Sequence, residues 1–255
     1  MNNNETINTE RALILGYPVD LVNMEQALNI VENWKNTSSG GQVVTINPEM
    51  IMFGEQNLEL SDILKSADLI IPDGAGIITS LKKLNIHNIK RLPGIELSEE
   101  IIKTGAEKGY KFAFLGAGPK VAEDASICLC QKYSGLNFVY IRDGYFTDND
   151  EQSIIDEIKQ AAPDVLFVAL GVPKQELFIK KYRNELKSVI MIGVGGSFDV
   201  WSGRINRAPL IYRKLGLEWF YRLICQPSRF SRMFPTIPLF FIKVFLDKKN
   251  TRKES

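Results

Sequence analysis

The chain has 255 residues, of which 45% are apolar and 24% charged; this is an ordinary globular composition, long enough to bury a full core, and it excludes a disorder-dominated or fibrous chain. Three cysteines without a CxxC pair and one histidine, His87, argue against a disulfide framework, a zinc site and a histidine base. The net charge of +1 hides an asymmetry, since residues 1 to 203 hold 19 Lys+Arg against 27 Asp+Glu while residues 204 to 255 hold 12 against 3.

A basic C-terminal module on an acidic body is expected to meet an anionic surface, membrane or nucleic acid. The first ten residues, MNNNETINTE, lack the basic start and apolar core of a signal peptide. The most apolar late stretch, Phe234 to Leu246, is 13 residues long, contains Pro235, Pro238 and Lys243, and is too short to span a bilayer. A cytoplasmic protein in a reducing compartment is expected.

In chain order, Leu13 to Leu15 reads as a short strand ending at Gly16, and Met24 to Trp34 has helical spacing with Asn23 as N-cap. After a loop at 36 to 41, Gln42 to Ile46 is a strand stopped by Asn47-Pro48, which leaves Thr45 and Asn47 at its carboxyl end. A helical region through Lys65 leads into ADLIIPDGAG at 67 to 76, a buried strand from Asp68 to Ile71 that delivers Asp73 into a glycine turn before a helix near Gly76. Ligands sit at the carboxyl ends of strands in open α/β sheets, so Asp73 is a candidate general base. The alternative is a turn or cap aspartate.

The basic turn at 90 to 94 carries Arg91, whose guanidinium could hold a pyrophosphate or simply face solvent. Helices are expected over Ile95 to Lys108 and, beyond a glycine turn, to about Tyr133, with a strand from Lys111 to Leu115 between them. Gly116-Ala117-Gly118-Pro119 follows that strand and presents a helix N-terminus to a phosphate, with Asp143 arriving after the next strand, Phe138 to Ile141. As a dinucleotide fingerprint it is poor, because Val121 stands where Gly or Ala is wanted. A tight turn without a ligand is the plainer reading. Helix Glu151 to Ala161, strand Val165 to Leu170, helix Glu176 to Leu186 and strand Val189 to Val194 complete the pattern, with Gln175 in one late loop and Gly195, Gly196, Ser197 and Asp199 in the next.

Alternating strands and helices predict an α/β fold, a Rossmann-like parallel sheet with helices on both faces. The expected division is a catalytic core over 1–200 and a basic, aromatic, helical appendage over 201–255, without further strands.

Six stretches in register then carry a specific resemblance: TINPEM at 45 to 50, ADLIIPDGAGI at 67 to 77, RLPGIEL at 91 to 97, FLGAGP at 114 to 119, VALGVPKQE at 168 to 176 and GVGGSFDVWSGRINRAP at 193 to 209. Together they resemble the WecG/TagA/CpsF family of bacterial glycosyltransferases over roughly residues 12 to 235. The resemblance implies inverting, metal-independent transfer of a sugar, N-acetylmannosamine in the teichoic acid branch, from a UDP-sugar to undecaprenyl-diphosphate-linked N-acetylglucosamine at the inner membrane face. It implies no cofactor, Asp73 as base toward the acceptor's C4 hydroxyl, Thr45, Asn47 and Gln175 on the sugars, and Arg91 on the leaving diphosphate. It also implies that Arg222, Arg229 and Arg232 lie near the lipid diphosphate, on an appendage that settles on an anionic membrane, with assemblies off the membrane. Gly116, Ala117, Gly118, Asp143, Gly195, Gly196, Ser197 and Asp199 are the expected UDP-sugar contacts. A nicotinamide oxidoreductase and a nonenzymatic nucleotide-binding regulator with a nucleic-acid-binding tail are the competing readings. The first lacks a clean fingerprint, and the second would show strongly salt-sensitive DNA binding.

Overall fold

The structure is a computed structural model that describes residues 9–214, 218, 220, 221, 230–247, 252 and 253. Six strands form one parallel sheet: β3 (Gly41–Ile46), β4 (Leu69–Pro72), β5 (Lys111–Gly116), β6 (Asn137–Arg142), β7 (Val165–Ala169) and β8 (Ile190–Gly193). Their order is β4-β3-β8-β7-β5-β6, with each neighbour parallel. The expected Rossmann-like α/β architecture is therefore present.

Side chains alternate across the sheet with the period of two that a strand imposes. Val43, Leu69, Ile71, Phe112, Phe114, Phe167 and Ile192 face one core, covered by α1 (Met24–Thr37), α5 (Gly94–Lys108), α6 (Val121–Lys132) and α9 (Ser197–Trp201). Their sequence neighbours face the other way, into two smaller cores. Val44, Ile46 and Ile70 meet α2 (Pro48–Gly54), α3 (Leu58–Ser66) and α4 (Ala75–Lys83), while Ala113, Leu115, Leu166 and Met191 meet α7 (Glu151–Ala161) and α8 (Lys174–Tyr182). With both faces covered, the strands read as continuous apolar runs.

The predicted cap of α1 is a full capping box, in which the Asn23 side chain accepts from Gln26 N and the Gln26 side chain accepts from Asn23 N, each at 2.9 Å. One element was not anticipated. The first strand, β1 (Arg11–Ile14), turns through Leu15 and Gly16, both at positive φ (53° and 79°), into an antiparallel partner β2 (Tyr17–Asp20). Pro18 suggests the end of a strand, but β2 is an edge, where proline is tolerated. Fully buried Asp20 ties this hairpin to the main sheet by accepting from Ile70 N at 2.7 Å, Arg11 Nε at 2.6 Å and Thr9 Oγ1 at 2.6 Å.

After residue 201 the expectation of no further strand is corrected. A short α10 (Leu210–Lys214) and a long α11 (Phe230–Leu246) are followed by β9 (Arg252–Lys253), which pairs antiparallel with β1. Helix α11 packs on α2 and α4, and its Phe240 and Val244 belong to the core beneath β3. Lys83 Nζ reaches the carbonyl of Val244, and Lys243 pairs with Glu55.

Candidate functional site

Most predicted site residues of the core lie at carboxyl ends of the parallel strands or in the turns that follow, while Gln175, Ser197 and Asp199 sit in the first turns of the next helices and Arg91 comes after α4. Along the rim, in strand order, come Asp73, then Thr45 and Asn47, then Gly195 to Ser197, then Gln175, then Gly116 to Gly118, and last Asp143. At about 4.8 Å per strand, five spacings set β6 roughly 24 Å from β4. The Gly195 turn stands two spacings from β4, the Gly116 turn four.

The tightest constellation surrounds Asp73. Its N–H donates to Ile46 O at 3.0 Å, extending the β3–β4 ladder by one bond beyond the strand. The half-buried carboxylate accepts Gly74 N at 2.7 Å through Oδ1 and Gly94 N, the first residue of α5, at 3.3 Å through Oδ2. The positive end of α5 thus faces the carboxylate, where negative charge is favoured. Glycine is required at 94, since a Cβ there would stand 2.6 Å from Thr45 Cγ2 and 3.2 Å from Thr45 Oγ1. Asn47 caps α2, its Oδ1 accepting Met50 N at 3.1 Å, which leaves its amide nitrogen as a donor to a ligand.

Arg91 lies in the loop that enters α5, where Leu92 N donates to Pro72 O at 2.9 Å. Its Nη2 meets Glu218 Oε2 at 3.1 Å, and Glu218 is itself buried. Arg207 donates to Glu96 Oε1 at 2.5 Å and sits 3.8 Å from Glu218, while Arg213 sits 3.8 Å from Glu96. Three guanidiniums thus face two carboxylates, and the Nε groups of Arg207 and Arg213 are buried without a hydrogen bond.

A second constellation joins β7 to β8. Gln175 Oε1 accepts Gly195 N at 3.0 Å, and Gln175 Nε2 donates to Glu176 Oε1 at 2.7 Å. Both side chains are buried, and burial raises the Glu176 carboxyl to about 7. The Ser197 hydroxyl donates to Val194 O at 2.8 Å and is spent within its own turn. Gly171 and Gly195 both have left-handed backbones, and a side chain at either would project into open space, so ligand can approach the backbone at both strand ends. Phe198 and Trp201 anchor the following helix by stacking on Phe114, with Phe198 at 4.3 Å between ring centroids. Asp199 lies between these two anchors, in the first turn of the same helix.

The third constellation is the predicted phosphate turn. Gly116 is needed for packing, since a Cβ there would lie 2.5 Å from the backbone of Ala169 on β7. Ala117 and Lys120 hold positive φ (62° and 64°), and Ala117 O accepts Gly144 N at 2.9 Å, which brings the turn beside Asp143. Asp143 Oδ1 accepts Tyr145 N at 2.9 Å. The first turn of α6 carries Glu123 and Asp124, a poor complement to an anion at that helix end. Arg204 pairs with Asp124 at 2.7 Å.

Of the three predicted appendage arginines, Arg222 and Arg229 lie outside the described residues, and Arg232 is described only as a backbone position of α11. Sequence reading missed Glu176, Glu218, Arg207 and the Gly94 N–H. Glu176 and Arg207 lie inside the quoted VALGVPKQE and GRINRAP stretches, so the signal for them was already in view.

A family model for the glycosyl transferase WecG/TagA/CpsF family matches residues 12–254. An N-acetylglucosaminyldiphosphoundecaprenol N-acetyl-beta-D-mannosaminyltransferase from Staphylococcus aureus strain NCTC 8325 is 35% identical over 251 residues, covering 98% of each chain. The protein of the same name from strain MRSA252 is 34% identical over the same share. With six motifs on one sheet rim and a match from hairpin to tail, the chain belongs to the WecG/TagA/CpsF family of glycosyltransferases.

Proposed function

We propose that this chain transfers N-acetylmannosamine from its UDP-sugar to N-acetylglucosamine carried on undecaprenyl diphosphate, with inversion, in the synthesis of teichoic acid or a related surface polysaccharide. The observation that carries the reading is the Asp73 carboxylate, held by two backbone N–H groups beside Thr45 and Asn47, in a chain closely similar along its length to transferases of that name. Asp73 takes the proton of the acceptor's C4 hydroxyl as that oxygen attacks the anomeric carbon. The bond from that carbon to the UDP oxygen breaks, and UDP leaves with the electron pair. Thr45 and Asn47 orient the sugars. Arg91 and the arginines around it offset the charge that grows on the departing diphosphate, the task a metal ion performs in other transferases. For the pyrophosphate to engage Arg91 it must compete with the Glu218 carboxylate.

The uridine diphosphate would lie along the rim from the β8 turn, where Gly195 opens the backbone to a ligand. The chain would work at the cytoplasmic face of the membrane. On α11, Leu239, Ile242, Phe245 and Leu246 are 42%, 56%, 61% and 77% exposed. Their spacing puts them on one stripe, away from buried Phe240 and Val244, and the sequence continues into the basic KKNTRK. Among the described residues no helix is long and apolar enough to cross a membrane, and such a stripe suits a bilayer interface.

The test is UDP release from UDP-N-acetylmannosamine with a short-chain lipid-diphosphate N-acetylglucosamine acceptor, in the wild type and in Asp73→Ala. Acceptor-dependent release that collapses in the variant is expected. Release that survives the substitution removes Asp73 as base, and no release from any UDP-sugar overturns the reading.

A further inference from the structure

The first turn of α8 sets Gln175 and Glu176 side by side in the interior, 3% and 2% exposed. They occupy the space left by Gly193, where a Cβ would stand 2.4 Å from Gln175 Nε2 and 3.1 Å from Glu176 Oε1. Strands β7 and β8, against which α8 packs, carry no ionisable side chain. Helix α3, which packs on α8, carries Glu59, Asp62 and Lys65, all exposed, and α7 brings Glu151, which pairs with Lys181 and Tyr182 at the far end. None of these holds the Glu176 carboxyl, whose second oxygen is buried without a hydrogen bond. Burial keeps the group protonated up to about pH 7.

A glutamine amide presents nearly the same shape turned end for end. Here one end faces the Gly195 N–H, which only an oxygen can accept, and the other donates its N–H to the oxygen of the Glu176 carboxyl that carries no proton. Only one orientation serves both.

We propose that Glu176 is a positioning residue for sugar transfer: its carboxyl holds the Gln175 amide in the orientation whose carbonyl accepts the Gly195 N–H. The pair thereby clamps the Gly193–Ser197 turn to the first turn of α8. Its effect on catalysis rests on the donor site proposed above, whereas the clamp is a property of the chain alone.

Two substitutions separate positioning from packing. Glu176→Gln keeps a carbonyl oxygen for Gln175 Nε2, and Glu176→Leu fills a similar volume and accepts nothing. Amide hydrogen exchange of the intact chain, read without substrate over residues 190–201, should rise roughly tenfold in the Leu variant, the loss of one buried hydrogen bond, and stay within about twofold of wild type in the Gln variant. The KM for UDP-N-acetylmannosamine should rise by a similar factor in the Leu variant alone, with kcat nearly unchanged. Wild-type exchange in the Leu variant, or equal impairment of both variants, overturns the proposal. If the Leu variant does not fold, Gly193→Ala, whose Cβ displaces the same amide nitrogen, must reproduce the faster exchange or the proposal fails. A wild-type chain that transfers nothing sinks the transfer reading, while the exchange pattern still decides the clamp.

Discussion

Replacing Glu176 by Gln should change how the stability of the fold depends on pH. The carboxyl has an ordinary value of 4.5 when exposed in the unfolded chain and about 7 in the folded one, because burial disfavours its charge. The folded value is the raised one, which fixes the sign. Below pH 4.5 both states keep the proton, between 4.5 and about 7 only the folded state does, and above that both have lost it. Stability therefore falls as pH rises through this window, by about 1.4 kcal/mol per unit, or about 3 kcal/mol across it. Glutamine does not titrate. The variant's advantage over wild type should grow by that amount between pH 4.5 and 7 and then level off. At about 2–4 °C per kcal/mol for a chain of this size, the gap in melting midpoint should widen by about 10 °C. Thermal melts followed by circular dichroism at four pH values, on both proteins, measure it directly, with all other titrating groups cancelling in the difference. A gap that stays constant from pH 4.5 to 8 would refute the reasoning, since it would mean that the buried carboxyl takes up no proton on folding.

Four further outcomes can be checked. Asp73→Asn keeps the shape and one acceptor oxygen but cannot take a proton, so transfer should drop about 10²- to 10⁴-fold while UDP binding by calorimetry is unchanged; full activity would remove Asp73 from the chemistry. Glu218→Gln withdraws the carboxylate that competes for Arg91, so UDP should bind about fivefold tighter, the worth of roughly one hydrogen bond, and weaker binding would contradict the competition. Asp20→Ala strands Arg11 and the Ile70 N–H, and urea unfolding should show a loss of about 3–5 kcal/mol; a loss under 1 kcal/mol would mean that the hairpin is held by other means. Gly94→Ala drives a methyl into Thr45 at a cost of about 1–3 kcal/mol, and Thr45→Ala in the same chain should recover part of it; no recovery would place the strain elsewhere.

The parallel sheet was legible because its strands are short, mostly apolar runs, each closed within two residues by Gly, Asn or Asp, a pattern set by burial of the strands and a turn at their carboxyl ends. Asp73, Thr45 and Asn47 stood out for the same reason. Pairing across the sheet was not legible, because strand order depends on which helix covers which face. The role of Gly116 was hidden too, since a glycine needed for close strand approach looks in sequence like one that admits a phosphate. Glu176 escaped notice because a glutamate after lysine and glutamine at a helix start usually faces solvent, and only the missing side chain of Gly193 makes room for it inside. The partnership of Arg91 with Glu218 spans 127 positions and leaves no local trace.

The packing of α11 has a consequence for shortened forms of this protein. A Cβ on Gly76 would stand 2.5 Å from Pro48 Cγ and 3.3 Å from Phe240 Cε1, so the glycine three residues beyond Asp73 is wedged between the residue that follows Asn47 and a ring from the C-terminal helix. Cutting the chain before residue 230 would pull that ring from the core, a loss of about 3–5 kcal/mol for the phenylalanine alone, directly under the turn that carries Asp73. An inactive shortened form would then report support removed from beneath Asp73, and lipid contact would have to be tested in the 255-residue chain by changing only the outward-facing Leu239, Ile242, Phe245 and Leu246.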